Sequence, residues 1–136
     1  TAAKRGDARR LAQDADAAMF YYAGHGLQFN GENFLVPVEA RVEDEIGVQY
    51  ETTRLNDVLT ALNFSKGVKI MVLDACRNNP FVTQLARRQG TRSFAVGTGL
   101  APVARAQGMV IAYATQANDV AADGTGRNSP FTAALV

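Results

Sequence analysis

The sequence is poor in cysteine, histidine and tryptophan: its 136 residues include one cysteine, one histidine and no tryptophan. A single cysteine excludes a disulfide within the chain, so no disulfide framework indicates the compartment. No apolar stretch approaches the roughly 18 residues of a membrane-spanning helix. The first residues, TAAKRGDARRLAQDADA, are polar and helix-like rather than a signal peptide. These absences predict a soluble chain with no signal or transmembrane segment.

The chain also lacks an excess of charge of either sign. Fourteen lysines and arginines face 13 aspartates and glutamates, for a formal net charge of +1. Eleven of the 14 are arginines, and they are spread along the chain apart from the pairs Arg9-Arg10 and Arg87-Arg88. This balance indicates neither a nucleic-acid footprint nor a polybasic membrane patch. We therefore expect neither nucleic acid nor a membrane as a partner.

What the chain does have is the composition of an ordinary globular domain. Hydrophobic residues make up 47% and charged residues 20% of the sequence. A length of 136 residues fits one hydrophobic core, so we expect residues 1–136 to form a single domain. The first residue is threonine rather than methionine, and we expect the chain to be an internal part of a longer protein.

Three short apolar runs predict buried strands. They are AAMFYYA at residues 17–23, VKIMVLD at 68–74 and GMVIAYATQ at 108–116. Each is shorter than a typical helix and rich in aromatic or β-branched residues. After the first run, Asn30-Gly31 predicts the tight turn of a hairpin, and Pro37 predicts that the second arm is an edge or ends there.

Helical patterns alternate with these runs. Residues 3–15 and the segment TRLNDVLTALN at 53–63 predict helices, the second with Thr52 or Thr53 as its N-cap. A short helix is predicted at 81–88, and another begins after Ser129, with Pro130 in its first position. Residues 89–107 and 118–128 read as loops. The segment at 53–63 has four apolar residues at helical spacing: Leu55, Val58, Leu59 and Leu62.

Strands that alternate with helices predict an α/β fold with a mostly parallel sheet. In such sheets ligands bind beyond the carboxyl ends of the strands. The only histidine, His25, follows the first apolar run, and the only cysteine, Cys76, follows the second. We therefore expect His25 and Cys76 to lie near each other at one edge of the sheet.

A cysteine and a histidine side by side predict nucleophilic chemistry. The thiolate is the attacking form, and an imidazole can take the thiol proton and later protonate a leaving amine. The backbone N–H groups of Gly26 and Cys76 are candidates to hold the oxyanion that forms. Glycines flank His25, so the backbone there can adopt conformations closed to other residues and a substrate can approach closely.

Other interpretations of these residues are open. A lone cysteine is more often a small buried hydrophobe, and a lone histidine is more often a hydrogen-bonded structural residue. Together with Asp74 the pair could supply three zinc ligands, but Asp74 and Cys76 are two residues apart, which is not the usual spacing of paired cysteine ligands. The segment NDVAADGTG lacks the spaced carboxylates and the terminal glutamate of a calcium-binding EF-hand loop. We expect no metal ion or other cofactor.

The segment YYAGHG, followed 51 residues after its histidine by the cysteine of LDACRNNPF, resembles the caspase-like cysteine peptidases. Its interval is close to the roughly 50 residues between histidine and cysteine in caspases. The form DACRNNPF is most similar to the bacterial caspase-like, or orthocaspase, branch, and the resemblance runs from Asp16 to the last residue. It implies a three-layer sandwich with a mostly parallel central sheet. Only about one helix precedes the histidine strand here, so we expect the family's N-terminal strand or strands to be missing.

The resemblance implies a role for each site residue. His25 matches the general base, Cys76 the nucleophile, and Gly26 the glycine whose N–H helps to bind the oxyanion. Asp74 matches the acidic residue with which metacaspases and orthocaspases bind a basic side chain, and a carboxylate pairs well with a guanidinium group. Ala23 stands where metacaspases often have a serine, so a hydroxyl that would line this pocket is absent. A strand-end cap is the structural alternative for Asp74.

The function implied is that of a cysteine endopeptidase that cleaves proteins or peptides after Arg or Lys. The main alternative is a catalytically silent caspase-like scaffold, against which the intact His/Cys pair counts. A cysteine-dependent α/β hydrolase is disfavoured, because the chain has no G-x-[SC]-x-G elbow. Residues 86–107 read as a processing loop in which Arg87, Arg88 or Arg92 would be cut, or as a solvated basic loop without that role.

Overall fold

The computed structural model describes residues 2–76, 96–97, 100–103, 107–114 and 128–136. The predicted helix at 81–88 lies outside the described residues, as do all but the last residue of the predicted loop at 118–128 and most of the segment 86–107. The described helices are α1 (Ala2–Ala12), α2 (Glu45–Glu51), α3 (Leu55–Leu62) and α4 (Pro130–Leu135). The described strands are β1 (Ala17–Phe29), β2 (Glu32–Val36), β3 (Thr53–Arg54), β4 (Val68–Cys76), β5 (Val96–Gly97) and β6 (Met109–Tyr113).

The strands form one sheet in the order β3-β2-β1-β4-β6, and β5 also pairs with β1. The three predicted strands are all present, as β1, β4 and β6, and they run parallel to one another. Strands β2, β3 and β5 are antiparallel to their neighbours. The α/β class predicted from the sequence is confirmed, and the sheet is a parallel centre of three strands with antiparallel additions.

Strand β1 is longer than the apolar run that predicted it. Its first part lies beside β4, and from His25 onward it also pairs with β2 in an antiparallel hairpin. The turn of this hairpin is Asn30-Gly31, as predicted, with φ angles of 50° and 79°. Two consecutive positive φ angles are typical of the turns whose twist matches that of the flanking strands. Strand β2 ends at Val36, directly before Pro37, as predicted, but it is not an edge, because β3 pairs with it.

The predicted helix at 53–63 starts two residues later than expected, and its predicted cap is wrong. Thr53 and Arg54 form β3, and α3 has Arg54 as its N-cap residue, whose side chain makes no capping hydrogen bond. The hydroxyl of Thr52 instead donates to the carbonyl of Val48, in helix α2. Local capping rules would assign these residues to the start of the helix, but pairing with β2 holds them in a strand.

One face of the sheet carries the main core. Helix α3 packs on this face with Leu55, Val58 and Leu62, against side chains of β4 such as Met71 and Leu73. Fully burying an apolar side chain of this size contributes about 1.5–3 kcal/mol, so this face holds much of the fold together. A second cluster lies around the hairpin and α2 and comprises Leu27, Phe29, Phe34, Val36, Val42 and Val48.

The opposite face of the sheet carries α4, which contacts Tyr21 of β1 and Asp74 of β4. Helices therefore lie on both faces, as a three-layer sandwich requires. The expectation that the first and third strands are buried holds only in part, because Met19 and Val110 are each 60% exposed. None of the described helices is both long and apolar enough to cross a membrane.

Candidate active site

His25 and Cys76 occupy matching positions on adjacent strands. The parallel ladder between β1 and β4 pairs Ala17 with Val68 and proceeds in register until it pairs His25 with Cys76. Neighbouring strands lie about 4.8 Å apart, so the two backbones are adjacent here. His25 is also the register partner of Val36 on β2. The histidine backbone is thus held from both sides, and its side chain is exposed.

Tyr22 fixes the backbone at His25. Its hydroxyl lies 2.7 Å from the carbonyl oxygen of His25 and 2.9 Å from that of Val36, and its single proton is shared between these two acceptors. The N–H of Val36 donates back to the same hydroxyl at 3.2 Å. Burial raises the pKa of Tyr22 to about 12, with the backbone hydrogen bond to Val36 acting in the opposite direction. The hydroxyl therefore keeps its proton at neutral pH.

Gly24 and Gly26 are explained by close packing, which corrects the expectation from the sequence. Neither has the positive φ that only glycine adopts readily; Gly31 and Gly108 are the described glycines with such angles. A Cβ atom on Gly24 would lie 2.8 Å from the hydroxyl oxygen of Tyr22. A Cβ atom on Gly26 would lie 2.8 Å from Cδ2 of Leu100. Close packing thus favours glycine on both sides of His25, because a Cβ atom there would force the Tyr22 or the Leu100 side chain to shift.

Asp74 lies on the face of the sheet that carries α4. Its register partner is Ala23, which is exposed, and the aspartate itself is only 1% exposed. One carboxylate oxygen, Oδ2, accepts hydrogen bonds from the hydroxyls of Ser129 and Thr132. The other, Oδ1, is enclosed and has no hydrogen-bond partner among the residues that the structure describes. Asp74 is thus a buried carboxylate that links β4 to the start of α4.

Three neighbours of Asp74 were not identified as site residues from the sequence. Ser129 was predicted only as the N-cap of α4, a role that is confirmed: its Oγ accepts from the N–H of Thr132 at 3.0 Å. Thr132 and Tyr21, whose hydroxyl oxygens lie 2.6 Å apart, were not singled out. The spacing S-x-x-T across the first turn of a helix was the available signal, because it places two hydroxyls on one side.

The zinc alternative for His25, Cys76 and Asp74 is not tested, because the side chain of Cys76 lies outside the described part of the structure. In the ranges that the structure describes, no group of three or more His, Cys, Asp or Glu residues is placed to hold a metal ion. Asp74 directs one oxygen to two hydroxyl groups instead.

Comparison with protein families agrees with this arrangement of strands and helices. The family model described as caspase domain, Peptidase C14, matches residues 4–136. The chain belongs to the caspase-domain family. A comparison with curated proteins finds no significant match. The caspase domain accounts for the α/β sheet with helices on both faces and confirms the resemblance drawn from YYAGHG and LDACRNNPF.

Membership assigns this caspase-domain protein to a family of cysteine peptidases, which act on protein substrates. In this caspase domain the only histidine and the only cysteine of the chain are register partners at the ends of β1 and β4. The acidic residue two positions before the cysteine lies in the protein interior beside α4.

Proposed function

We propose that this caspase-domain protein is a cysteine endopeptidase that cleaves peptide bonds after Arg or Lys through a dyad of His25 and Cys76. The observation that carries the proposal is the pairing of these two residues where β1 and β4 meet. Both stand on strands of the central sheet rather than on a loop, which suits a pair of groups that must keep a fixed separation. Exposure of the His25 side chain leaves it accessible to a substrate.

The proposed reaction needs four steps. His25 takes the proton of the Cys76 thiol, and the thiolate attacks the carbonyl carbon of the scissile bond. The oxyanion that forms is held by the backbone N–H groups of Gly26 and Cys76. The imidazolium of His25 then protonates the leaving amine, and a thioester to Cys76 remains. Water, deprotonated by His25, hydrolyses the thioester and frees the thiol.

Asp74 is the proposed determinant of specificity. A buried carboxylate without a cationic partner costs several kcal/mol, so a positively charged side chain is the group that its surroundings favour. Oδ1 is the atom that would receive this charge, because Oδ2 already accepts from Ser129 and Thr132. Asp74 is enclosed, so the substrate side chain must displace part of what covers it. Ala23, the register partner of Asp74 on the adjacent strand β1, contributes only a methyl group to the proposed specificity pocket.

The proposal is tested with a panel of fluorogenic peptides that end in Arg, Lys, Asp or Ala before the reporter, under reducing conditions with and without calcium. We expect turnover after Arg and Lys that disappears in Cys76→Ala and falls at least about a hundredfold in His25→Ala. Asp74→Asn keeps an oxygen that can accept from the two hydroxyls, removes the charge, and should slow the basic peptides selectively. Asp7→Asn, an exchange at an exposed aspartate of α1, is the matched control.

Two outcomes would contradict the proposal. If Asp74→Asn slows every peptide equally, Asp74 does not select the substrate. If the wild-type protein turns over none of the peptides in either condition, the silent scaffold becomes the better account.

A further inference from the structure

Four polar groups around Asp74 form one continuous chain of hydrogen bonds. The hydroxyl oxygens of Tyr21 and Thr132 lie 2.6 Å apart. The hydroxyls of Thr132 and Ser129 both reach Oδ2 of Asp74. The N–H of Thr132 also donates to Oγ of Ser129 at 3.0 Å, so the two residues that contact Asp74 are linked to each other as well. The chain joins α4 to β1 and β4, which also carry His25 and Cys76.

The direction of every proton in this chain follows from the carboxylate. An ionised carboxylate only accepts hydrogen bonds, so both hydroxyls must donate to Oδ2. Thr132 has one hydroxyl proton and uses it there, so in its contact with Tyr21 the tyrosine is the donor. Ser129 donates to Asp74 and accepts from the Thr132 N–H. Each group thus has one assigned role, and hydrogen bonds in such a chain strengthen one another.

This arrangement distinguishes the two oxygens of the carboxylate. Oδ2 accepts two hydrogen bonds, whereas Oδ1 has no partner within the described residues. We propose that Thr132 and Ser129 are positioning residues, which hold Asp74 so that Oδ1 alone faces the charged end of the substrate side chain, with Tyr21 orienting the Thr132 hydroxyl. The inference rests on the proposed function, since it assigns the residues that set the geometry of its specificity pocket.

Helix capping alone does not account for these contacts. Ser129 caps α4 by accepting from Thr132, and this bond needs no carboxylate. No side chain of α4 is fully buried, so packing holds the helix weakly and the bonds to Asp74 fix its place on the sheet. Any group that accepts hydrogen bonds from the two hydroxyls could hold the helix in place. A carboxylate with one unpaired oxygen is a costly choice for this role, because its charge is buried. A ligand that binds to the unpaired oxygen, Oδ1, would explain why a carboxylate stands here.

The test compares Thr132→Val, which keeps the shape of the side chain and removes its hydroxyl, with Thr132→Ser, which restores the hydroxyl. Values of kcat/KM are measured on peptides that end in Arg, Lys and Ala. We expect Thr132→Val to lower the Arg-to-Ala ratio about tenfold, as the loss of a hydrogen bond to a charged group implies. Thr132→Ser should stay within about twofold of the wild type. Tyr21→Phe, one bond further away, should lower the ratio about threefold.

Thr60→Val is the matched control, because the Thr60 hydroxyl donates to a carbonyl within α3, at an exposed position. It should leave all the ratios unchanged. Urea unfolding of each variant checks that it is folded under the assay conditions. If Thr132→Val does not fold, Thr132→Ser and Tyr21→Phe are compared with the wild type instead.

The outcomes separate this inference from the proposed function. Wild-type protein that cleaves after basic residues, with a Thr132→Val variant that slows all three peptides equally, overturns the positioning role alone. An unchanged Arg-to-Ala ratio in Tyr21→Phe overturns the role of Tyr21. Wild-type protein with no preference for basic residues overturns the proposed specificity and this inference with it.

Discussion

His25 and Cys76 form the last of nine register pairs between β1 and β4. His25 is at the same time the first residue of β1 to pair with β2, opposite Val36. The histidine therefore lies at the residue of β1 that pairs with both β4 and β2, and backbone pairing restrains it on both sides. A proposed dyad on two paired strands differs from one on loops in that its spacing is set by the ladder itself.

The hydroxyl of Tyr22 is the first group whose removal should weaken this arrangement. Tyr22→Phe deletes the hydrogen bonds to the carbonyl oxygens of His25 and Val36 and to the Val36 N–H. Leaving the backbone groups of the buried residue Val36 without this partner costs about 1–3 kcal/mol. We expect urea unfolding to show a loss of this size. Tyr50→Phe, at a residue that is 74% exposed, is the control and should change the free energy of unfolding by less than about 0.5 kcal/mol. Equal effects of the two exchanges would refute the role of Tyr22.

A second prediction concerns the glycine before the histidine. Gly24→Ala places a Cβ atom 2.8 Å from the Tyr22 hydroxyl oxygen, so we expect a destabilisation of about 1–3 kcal/mol. In a Tyr22→Phe background that oxygen is gone, and the same exchange should cost markedly less. The measurement is a double-mutant cycle in urea. Strictly additive effects would mean that Gly24 is required for a reason other than the tyrosine hydroxyl.

Tyr22 also predicts a dependence of stability on alkaline pH. Its pKa is raised to about 12 in the folded protein, chiefly by burial, from an ordinary value of 10.0. The neutral form is therefore favoured by folding, and its contribution is complete below about pH 10 and is lost as the pH rises to about 12. Tyr113 has a raised pKa for the same main reason and acts in the same direction. Unfolding free energies measured across this range should fall less steeply in Tyr22→Phe than in the wild type; identical slopes would contradict the assignment to Tyr22.

The two oxygens of Asp74 make a prediction about substrate choice. A guanidinium group can contact both oxygens of a carboxylate at once, whereas an ammonium group acts as a point charge, and this difference lets a site prefer Arg over Lys. Oδ2 is engaged by Ser129 and Thr132, so Arg and Lys would each contact Oδ1 alone. Values of kcat/KM for matched Arg and Lys peptides should therefore differ by less than about tenfold, since one additional charged hydrogen bond is worth about that factor. A preference for Arg above about a hundredfold would show that both oxygens are available.

The parts of the fold that the sequence predicts are those with strong local signals. Asn30-Gly31 specifies the hairpin turn because both residues tolerate positive φ. Ser129 and Pro130 specify the start of α4 by capping chemistry alone. The positions of His25 and Cys76 after two apolar runs suffice to predict their proximity, because parallel strands bring their carboxyl ends to one edge.

Features that depend on distant partners were not predictable in this way. Helix α2 was missed because Val48 is its only buried side chain, so it has almost no apolar periodicity. The two residues of β3 are a strand only because β2 lies beside them. The partners of Asp74 are 55 and 58 residues further along the chain, and no local pattern joins them. The reason for Gly24 requires the position of the Tyr22 hydroxyl, which only the folded structure supplies.

Covalent labelling tests the proposed dyad most directly. The protein is incubated with a peptide chloromethyl ketone that ends in Arg, and the modified residue and its rate of modification are determined by mass spectrometry. We expect the label on Cys76, at a rate that falls at least about a hundredfold in His25→Ala, because the imidazole generates the attacking thiolate. Modification of Cys76 at the same rate in the wild type and in His25→Ala would contradict the account.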